Sequence, residues 1–166
     1  MKFNFCPICG GKLKEKYSWD EGGVPYCPND DKMFFNVPNP CIMAAVIKED
    51  EILLLKQSYI YKNSKVLISG YIGIDERAEE TVYREVLEET GIKVKNIEFL
   101  GTDFIQNKEL LMLTFKADYD SGILTKSDEV EMASWEKLNS ALDQMTEDIV
   151  GQKVVSKVLK MKELGM

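Results

Sequence analysis

Histidine is absent from all 166 residues. This excludes an imidazole base and an imidazole metal ligand, so a general base must be a carboxylate, lysine, tyrosine or cysteine, and a metal must be held by oxygen or thiolate. Positive charge is also scarce. The 21 lysines and arginines face 28 acidic residues, for a net charge of −7 and a pI near 4.8, which argues against a broad nucleic-acid or anionic-membrane surface. Long apolar runs are missing: the longest, CIMAAVI at residues 41–47, is far too short to span a bilayer. The opening MKFNFCPICGGK has no apolar stretch of signal-peptide length. The chain therefore reads as soluble and cytoplasmic, where thiols stay reduced, and for some of its four cysteines metal binding is favoured over disulfides. What is present is ordinary for a globular protein, 45% hydrophobic and 30% charged. That suits one full domain, or one domain with a small appendage.

The chain changes character near residue 40. Residues 1–35 hold three of the cysteines with Gly and Pro punctuation, and NVPNP at 36–40 reads as an extended connector, because a residue before proline is pushed out of the helical region. Residues 36–166 are expected to form the main domain. CIMAAVI and ILLLKQS read as two antiparallel strands joined by a KEDE turn, and KVLIS at 65–69 as a third strand. From about Arg77 to Thr90, Ala78, Val82 and Val86 make an apolar helical stripe, with Tyr83 and Leu87 beside it and Gly91 at the stop position. KVKNIEFLGTDF and ELLMLTFKADY follow as a strand pair, then the short strand EVEMASW, then one or two helices over residues 137–164. The order gives an α+β or sandwich class.

The helix is crowded with carboxylates. Glu85, Glu88 and Glu89 share one face, and like charges at this spacing cost an isolated helix about 0.2–0.5 kcal/mol per pair. Divalent cations between them turn the cost into a gain, since Mg²⁺ prefers carboxylates together with substrate phosphates. The spacing is Gly70-x5-Glu76-x7-Arg84-Glu85-Val86-Leu87-Glu88-Glu89-Thr90-Gly91-Ile92. It resembles the box of the Nudix family, G-x5-E-x7-R-E-U-x-E-E-x-G-U with U aliphatic, at every fixed position.

That resemblance implies an α/β/α sandwich with a mixed sheet and Mg²⁺- or Mn²⁺-dependent hydrolysis of a nucleoside diphosphate linked to another group. It makes Glu85, Glu88 and Glu89 metal ligands, with the backbone carbonyl of Ser69 as an extra ligand. Glu76 and Arg84 become an ion pair that fixes the helix against its loop. Without histidine, the base is a glutamate, Glu88 or a neighbour, or a hydroxide generated at the metal.

The cysteine-bearing start, the box and FKADYDSGILTKSDEVEMASW are similar to the zinc-ribbon NADH pyrophosphatases. In that register Glu129 matches a further acidic metal ligand, and a small zinc-ribbon-like domain precedes the sandwich. The match departs in three places. The family's Ser-Gln-Pro-Trp-Pro-Phe stretch is replaced by Thr102-Asp103-Phe104-Ile105-Gln106-Asn107, Gly73 stands where many members carry another glutamate, and no fourth cysteine follows Cys27. Phe104 and Tyr71 are candidates to stack on a base, with core packing as the competing reading. Cys6, Cys9 and Cys27 suggest a zinc site because so short a segment buries too little apolar surface to fold alone. Asp30 sits at ligand spacing, and its carboxylate can complete the set. The competing reading is a ribbon that has lost its metal. Cys41 reads as a core residue, and Tyr59, Tyr61, Trp19 and Trp135 as packing. Lysines 153, 157, 160 and 162 read as helix C-terminal cations that favour the dipole.

The leading expectation is cleavage of NAD(H), ADP-ribose or a related nucleoside diphosphate derivative to AMP and a phosphorylated product, by a homodimer with no nucleic-acid partner. A nucleoside triphosphate pyrophosphohydrolase and a non-catalytic nucleotide-binding module remain as alternatives.

Overall fold

The computed structural model describes residues 3–165. The chain divides into two units, Met1–Pro38 and Asn39–Met166. The expected boundary after residue 35 falls inside the first of these units. Asn39 already donates its N–H to the Glu109 carbonyl at 2.9 Å, and Pro40 is paired in strand register with Leu111.

In the first unit, β1 (Lys14–Ser18), β2 (Gly22–Cys27) and β3 (Lys32–Met33) form an antiparallel sheet. Ahead of them a tight turn binds the Gly10 N–H to the Cys6 carbonyl at 2.9 Å, with Gly10 in the left-handed region at φ +72°. Among the described residues of this unit the buried apolar side chains are Cys6, Val24 and Cys27. Two of those three are thiols. Trp19, read as packing, lies 88% exposed just beyond the end of β1.

The second unit runs β4 (Asn39–Lys48), β5 (Glu51–Lys56), β6 (Lys65–Val66), β7 (Ile68–Tyr71), α1 (Ala78–Thr90), β8 (Ile92–Ile105), β9 (Leu110–Gly122), β10 (Met132–Lys137), α2 (Ala141–Gln144) and α3 (Ile149–Glu163). Its sheet has the order β10-β5-β4-β9-β8, with β6 on β5 and β7 on β4; β4 and β9 are parallel and the other pairs antiparallel. Strand KVLIS is two strands instead of one. The chain changes partner at Leu67, which is fully buried.

The period-two alternation of β4 sorts its side chains to two faces. Ile42, Ala44 and Val46 join Leu53, Leu55 and Ile68 under Val82 and Val86 of α1. Cys41, Met43 and Ala45 join Ile52 and Leu54 under Val154, Val155 and Val158 of α3. This is the mixed-sheet α/β/α sandwich, with Cys41 in the core as expected. Helix α1 begins where Glu80 accepts the Arg77 N–H at 2.9 Å. It ends where Gly91, at φ +69°, donates to the Leu87 carbonyl at 2.9 Å. Trp135 packs edge-on against Tyr119, with centroids 5.8 Å apart, and Tyr61 is half-buried against the α1-side core. Lys153 pairs with Asp103 at 2.6 Å, Lys157 donates to the Leu100 carbonyl and Lys162 pairs with Asp50. These lysines tie α3 to the sheet. Among the described residues no helix is long and apolar enough to cross a membrane.

Candidate active site

A cleft of about 570 Å³ opens beside α1 in the second unit. One wall is acidic, with Glu85 and Glu89 from α1, Glu129 from the segment before β10, and Ser69 from β7. Cys41, Leu110 and Met112 contribute apolar surface, and Tyr59, Ile60, Tyr71 and Lys108 also line it. A β-carbon at Gly70 would overlap the Glu85 carboxyl, so a larger residue there would displace that side chain.

Arg84 organises the acidic wall. Its guanidinium donates Nε to Glu76 Oε1 at 2.8 Å and Nη2 to Glu76 Oε2 at 3.0 Å, a two-pronged pair that ties α1 to the loop before it. Nη1 donates to Glu85 at 2.7 Å and to Glu88 at 3.1 Å, and Nη2 also reaches the Tyr71 carbonyl at 3.1 Å. Glu76 further accepts the Gly73 N–H at 2.9 Å. The guanidinium first, and then that N–H, hold the Glu76 carboxyl down at about 2. Glycine at 73 thus leaves room for a loop whose backbone serves the box carboxylate.

The other two box glutamates differ sharply. Glu88 is exposed over 58% of its side chain and does not line the cleft, whereas Glu89 is buried. Glu89 Oε1 accepts a hydrogen bond from Gln57 Nε2 at 3.1 Å, and among the described residues Oε2 is buried with no partner. Burial pushes the Glu89 carboxyl up to about 7; the Gln57 amide opposes this, and Glu85, Glu129 and Glu88 add like-charge repulsion. Burial also raises Glu85, against the pull of Arg84. An orphaned, buried carboxylate oxygen among other oxygen donors fits a hard divalent cation such as Mg²⁺ or Mn²⁺.

The N-terminal cysteines converge as well. The Cys6, Cys9 and Cys27 sulfurs and an Asp30 carboxylate oxygen all lie within 4.8 Å of one another. Cys9 Sγ is 3.5 Å from Cys27 Sγ, and Asp30 Oδ2 accepts from Cys6 at 3.1 Å and Cys27 at 3.2 Å. A tetrahedron with Zn–S about 2.3 Å has edges of about 3.8 Å, so these residues fit the ion with little movement. The thiol hydrogen bonds, that of Cys9 foremost, hold the Asp30 carboxyl below its usual range, while burial pushes Cys27 up to about 11.

The NUDIX domain profile matches residues 38–156. The chain belongs to the Nudix family. Among curated Nudix relatives it is 35% identical over 132 residues to the NAD-capped RNA hydrolase NudC of Vibrio cholerae, covering 79% of this chain and 48% of that protein. It is 36% identical over 136 residues to the NudC of Vibrio parahaemolyticus, covering 81% and 51%. The chain spans about half the length of these relatives. A NUDIX hydrolase from Nitrosomonas europaea superposes with a TM-score of 0.78 at 16% identity, covering 99% of this chain and 94% of that one, which shows the shared fold. The MutT protein of Bacillus halodurans superposes at 0.61 with 29% identity, over 73% and 82%.

On this Nudix frame the expected site residues separate. Ser69, Tyr71, Arg84, Glu85, Glu89 and Glu129 line one cleft; Glu76 and Glu88 reach it through Arg84; Phe104 does not line it. Phe104 and Tyr71 are 53% and 63% exposed, so simple core packing fails for both. Tyr59, expected to pack, is 71% exposed on the cleft. Gln57, Ile60, Lys108, Leu110 and Met112 were not singled out. The signal for the first two was the loop itself: QSYIYKNS joins the paired strands β5 and β6, and such loops carry function.

Proposed function

We propose that this Nudix chain is a divalent-metal-dependent pyrophosphohydrolase that cleaves the diphosphate of a nucleoside diphosphate derivative. NAD(H) and ADP-ribose are the first substrates, with AMP and a phosphorylated partner as products. The observation that carries the reading is the buried Glu89 oxygen that has no partner among the described residues, on a carboxylate that Glu85, Glu129 and Glu88 repel. Glu85, Glu88, Glu89, Glu129 and the Ser69 carbonyl would hold Mg²⁺ or Mn²⁺. Such ions neutralise the diphosphate and lower the pKa of a water. Arg84 joins the Glu85 and Glu88 carboxylates through one nitrogen. Glu88, the most exposed of the three box glutamates, can turn toward a water without uncovering the core, which suits it to accept a proton. Tyr71 and Tyr59 supply aromatic surface for a base, in place of Phe104.

The relatives' name names a capped RNA, so the expected absence of any nucleic acid is no longer well founded. A net charge of −7 disfavours a broad RNA surface but leaves room for one RNA 5′ end in the cleft. We also propose that Cys6, Cys9, Cys27 and Asp30 hold a structural Zn²⁺, and that the protein is a homodimer, which light scattering tests. For the activity, the chain is incubated with Mg²⁺ or Mn²⁺ and NADH, ADP-ribose, NAD-capped RNA and nucleoside triphosphates, and the products are separated. Release of AMP, or of a 5′-monophosphate RNA, supports the reading. Inorganic pyrophosphate moves it to a triphosphate pyrophosphohydrolase. Binding without turnover of any of them leaves a nucleotide-binding module.

A further inference from the structure

Two adjacent side chains at the end of β5 hold different parts of the acidic wall. Gln57 is 3% exposed, and its Nε2 donates to Glu89 Oε1 at 3.1 Å. Its own carbonyl accepts from the Ile60 N–H at 2.9 Å and the Tyr61 N–H at 3.2 Å, closing the turn that carries Tyr59 and Ile60 into the cleft. Ser58 grips the other acidic segment. Its N–H donates to Glu131 Oε1 at 2.9 Å and its hydroxyl to Oε2 at 2.8 Å. Glu131 also donates its N–H to the Lys56 carbonyl at 3.0 Å. Glu129 stands two residues earlier, on a segment anchored at its other end by the Ser127 N–H to the Glu89 carbonyl at 3.2 Å. Val130, fully buried, pins the segment between them.

We propose that Gln57 and Ser58 form a two-armed clamp of positioning residues, which sets Glu89 and Glu129 at a fixed separation for one divalent cation. The inference rests on reading those two glutamates as cation ligands. Carboxylates that share a site repel before a cation arrives, so something must hold them within reach of the same ion. Gln57 occupies one oxygen of Glu89, and the other is buried without a partner among the described residues, which leaves that second oxygen for the cation. Ser58 acts at one remove, through Glu131 and the backbone to Glu129. Loss of an outer group of this kind typically weakens metal binding by about 10–100-fold.

The test is Mn²⁺ binding, read as free Mn²⁺ by electron paramagnetic resonance, on the whole chain and on Gln57→Met, Ser58→Ala and Gln57→His. Methionine keeps the volume and removes the donor. Histidine restores an N–H. Loss of the Gln57 donor should weaken Mn²⁺ by about 10–100-fold, Ser58→Ala by less, and Gln57→His should recover part of the loss. In turnover, the metal concentration for half-maximal rate should rise while kcat at saturating metal stays within about threefold. A merely structural role would lower the melting temperature and leave Mn²⁺ affinity alone. Affinity within twofold of the parent in both Gln57→Met and Ser58→Ala overturns the clamp. Should Gln57→Met not fold, the exposed Ser58→Ala decides by itself. A parent protein that binds Mn²⁺ yet hydrolyses none of the pyrophosphates fails the catalytic reading and leaves the clamp standing. One that binds no Mn²⁺ ends both.

Discussion

Cys6, Cys9, Cys27 and Asp30 gather in a unit whose buried apolar side chains are mostly those same cysteines, whereas Glu85, Glu89 and Glu129 gather on a domain with an extended core on each face of its sheet. In the first cluster the ligand atoms lie within 4.8 Å of one another, and in the second the three glutamates line one cleft. The clusters differ in what else holds them. In the first unit two of the proposed ligands, Cys6 and Cys27, are among the three buried apolar side chains of its described residues, so on the zinc reading ion and fold would be coupled. In the second, two layers of packed side chains carry the free energy, each buried Val or Ile contributing about 1.5–3 kcal/mol, and that surplus can hold three acids in an unfavourable arrangement. Soft thiolates and hard carboxylates favour different ions, so on the proposed reading the two sites would select different metals.

The largest expected effect breaks this comparison at its first half. Stripping the structural ion with a zinc chelator, or making Cys27→Ser, should unfold residues 1–38, since structural zinc in small domains supplies about 10–16 kcal/mol of apparent binding energy. Limited proteolysis should then cut within the first 38 residues, while the melting of residues 39–166 shifts by no more than about 4 °C, the equivalent of roughly 1 kcal/mol. A metal-free first unit that still resists protease would mean its fold does not need the ion.

The second effect is catalytic. Glu88→Gln removes a charge from the exposed side of the wall without touching either core, so kcat should fall by about 10²–10⁴-fold with little change in thermal stability. Unchanged turnover would take Glu88 out of the mechanism. A large loss of stability would show instead that the Arg84 bond at 3.1 Å matters to the fold.

How much of this was legible in the sequence follows the same divide. Local pattern and fixed spacing were readable: the α1 stripe, the Gly91 stop, the alternation of CIMAAVI and the register of the box. The Arg84–Glu76 pair was legible because the box sets their separation. What escaped depends on contacts between segments far apart in the chain. Gln57 lies 32 residues from Glu89, and Ser58 lies 73 from Glu131; no periodicity links such pairs. Exposure was misjudged for Trp19 and Tyr59 because an aromatic residue in a sequence does not reveal whether a neighbour covers it. Likewise KVLIS read as one strand, since the switch of partners at Leu67 is a property of the sheet and not of the segment.

The smallest effect sharpens the second half of the comparison, that the core holds Glu89 at a cost. Its carboxyl has an ordinary value of 4.5 and rises to about 7 in the fold, chiefly through burial. Between those values the folded protein binds more protons than the unfolded one, so the stability linked to Glu89 is fully present below pH 4.5 and is lost as pH rises through about 7. The full shift corresponds to at most about 3 kcal/mol. Glu76 and Glu136, held down at about 2 by Arg84 and Lys65, act in the opposite sense, and their contribution disappears only as pH falls through that low range. Comparing the parent with Glu89→Gln cancels those terms. In excess chelator, urea melts followed by the helical signal report on the second unit, where α1, α2 and α3 all lie. The variant should be more stable than the parent by about 1–3 kcal/mol at pH 8 and equal to it near pH 4. Saturating Mg²⁺ should then erase the gap by stabilising the parent alone. A variant less stable than the parent at pH 8 without metal would mean that the Gln57 hydrogen bond already compensates the buried charge, and that the wall does not need a cation to be at ease.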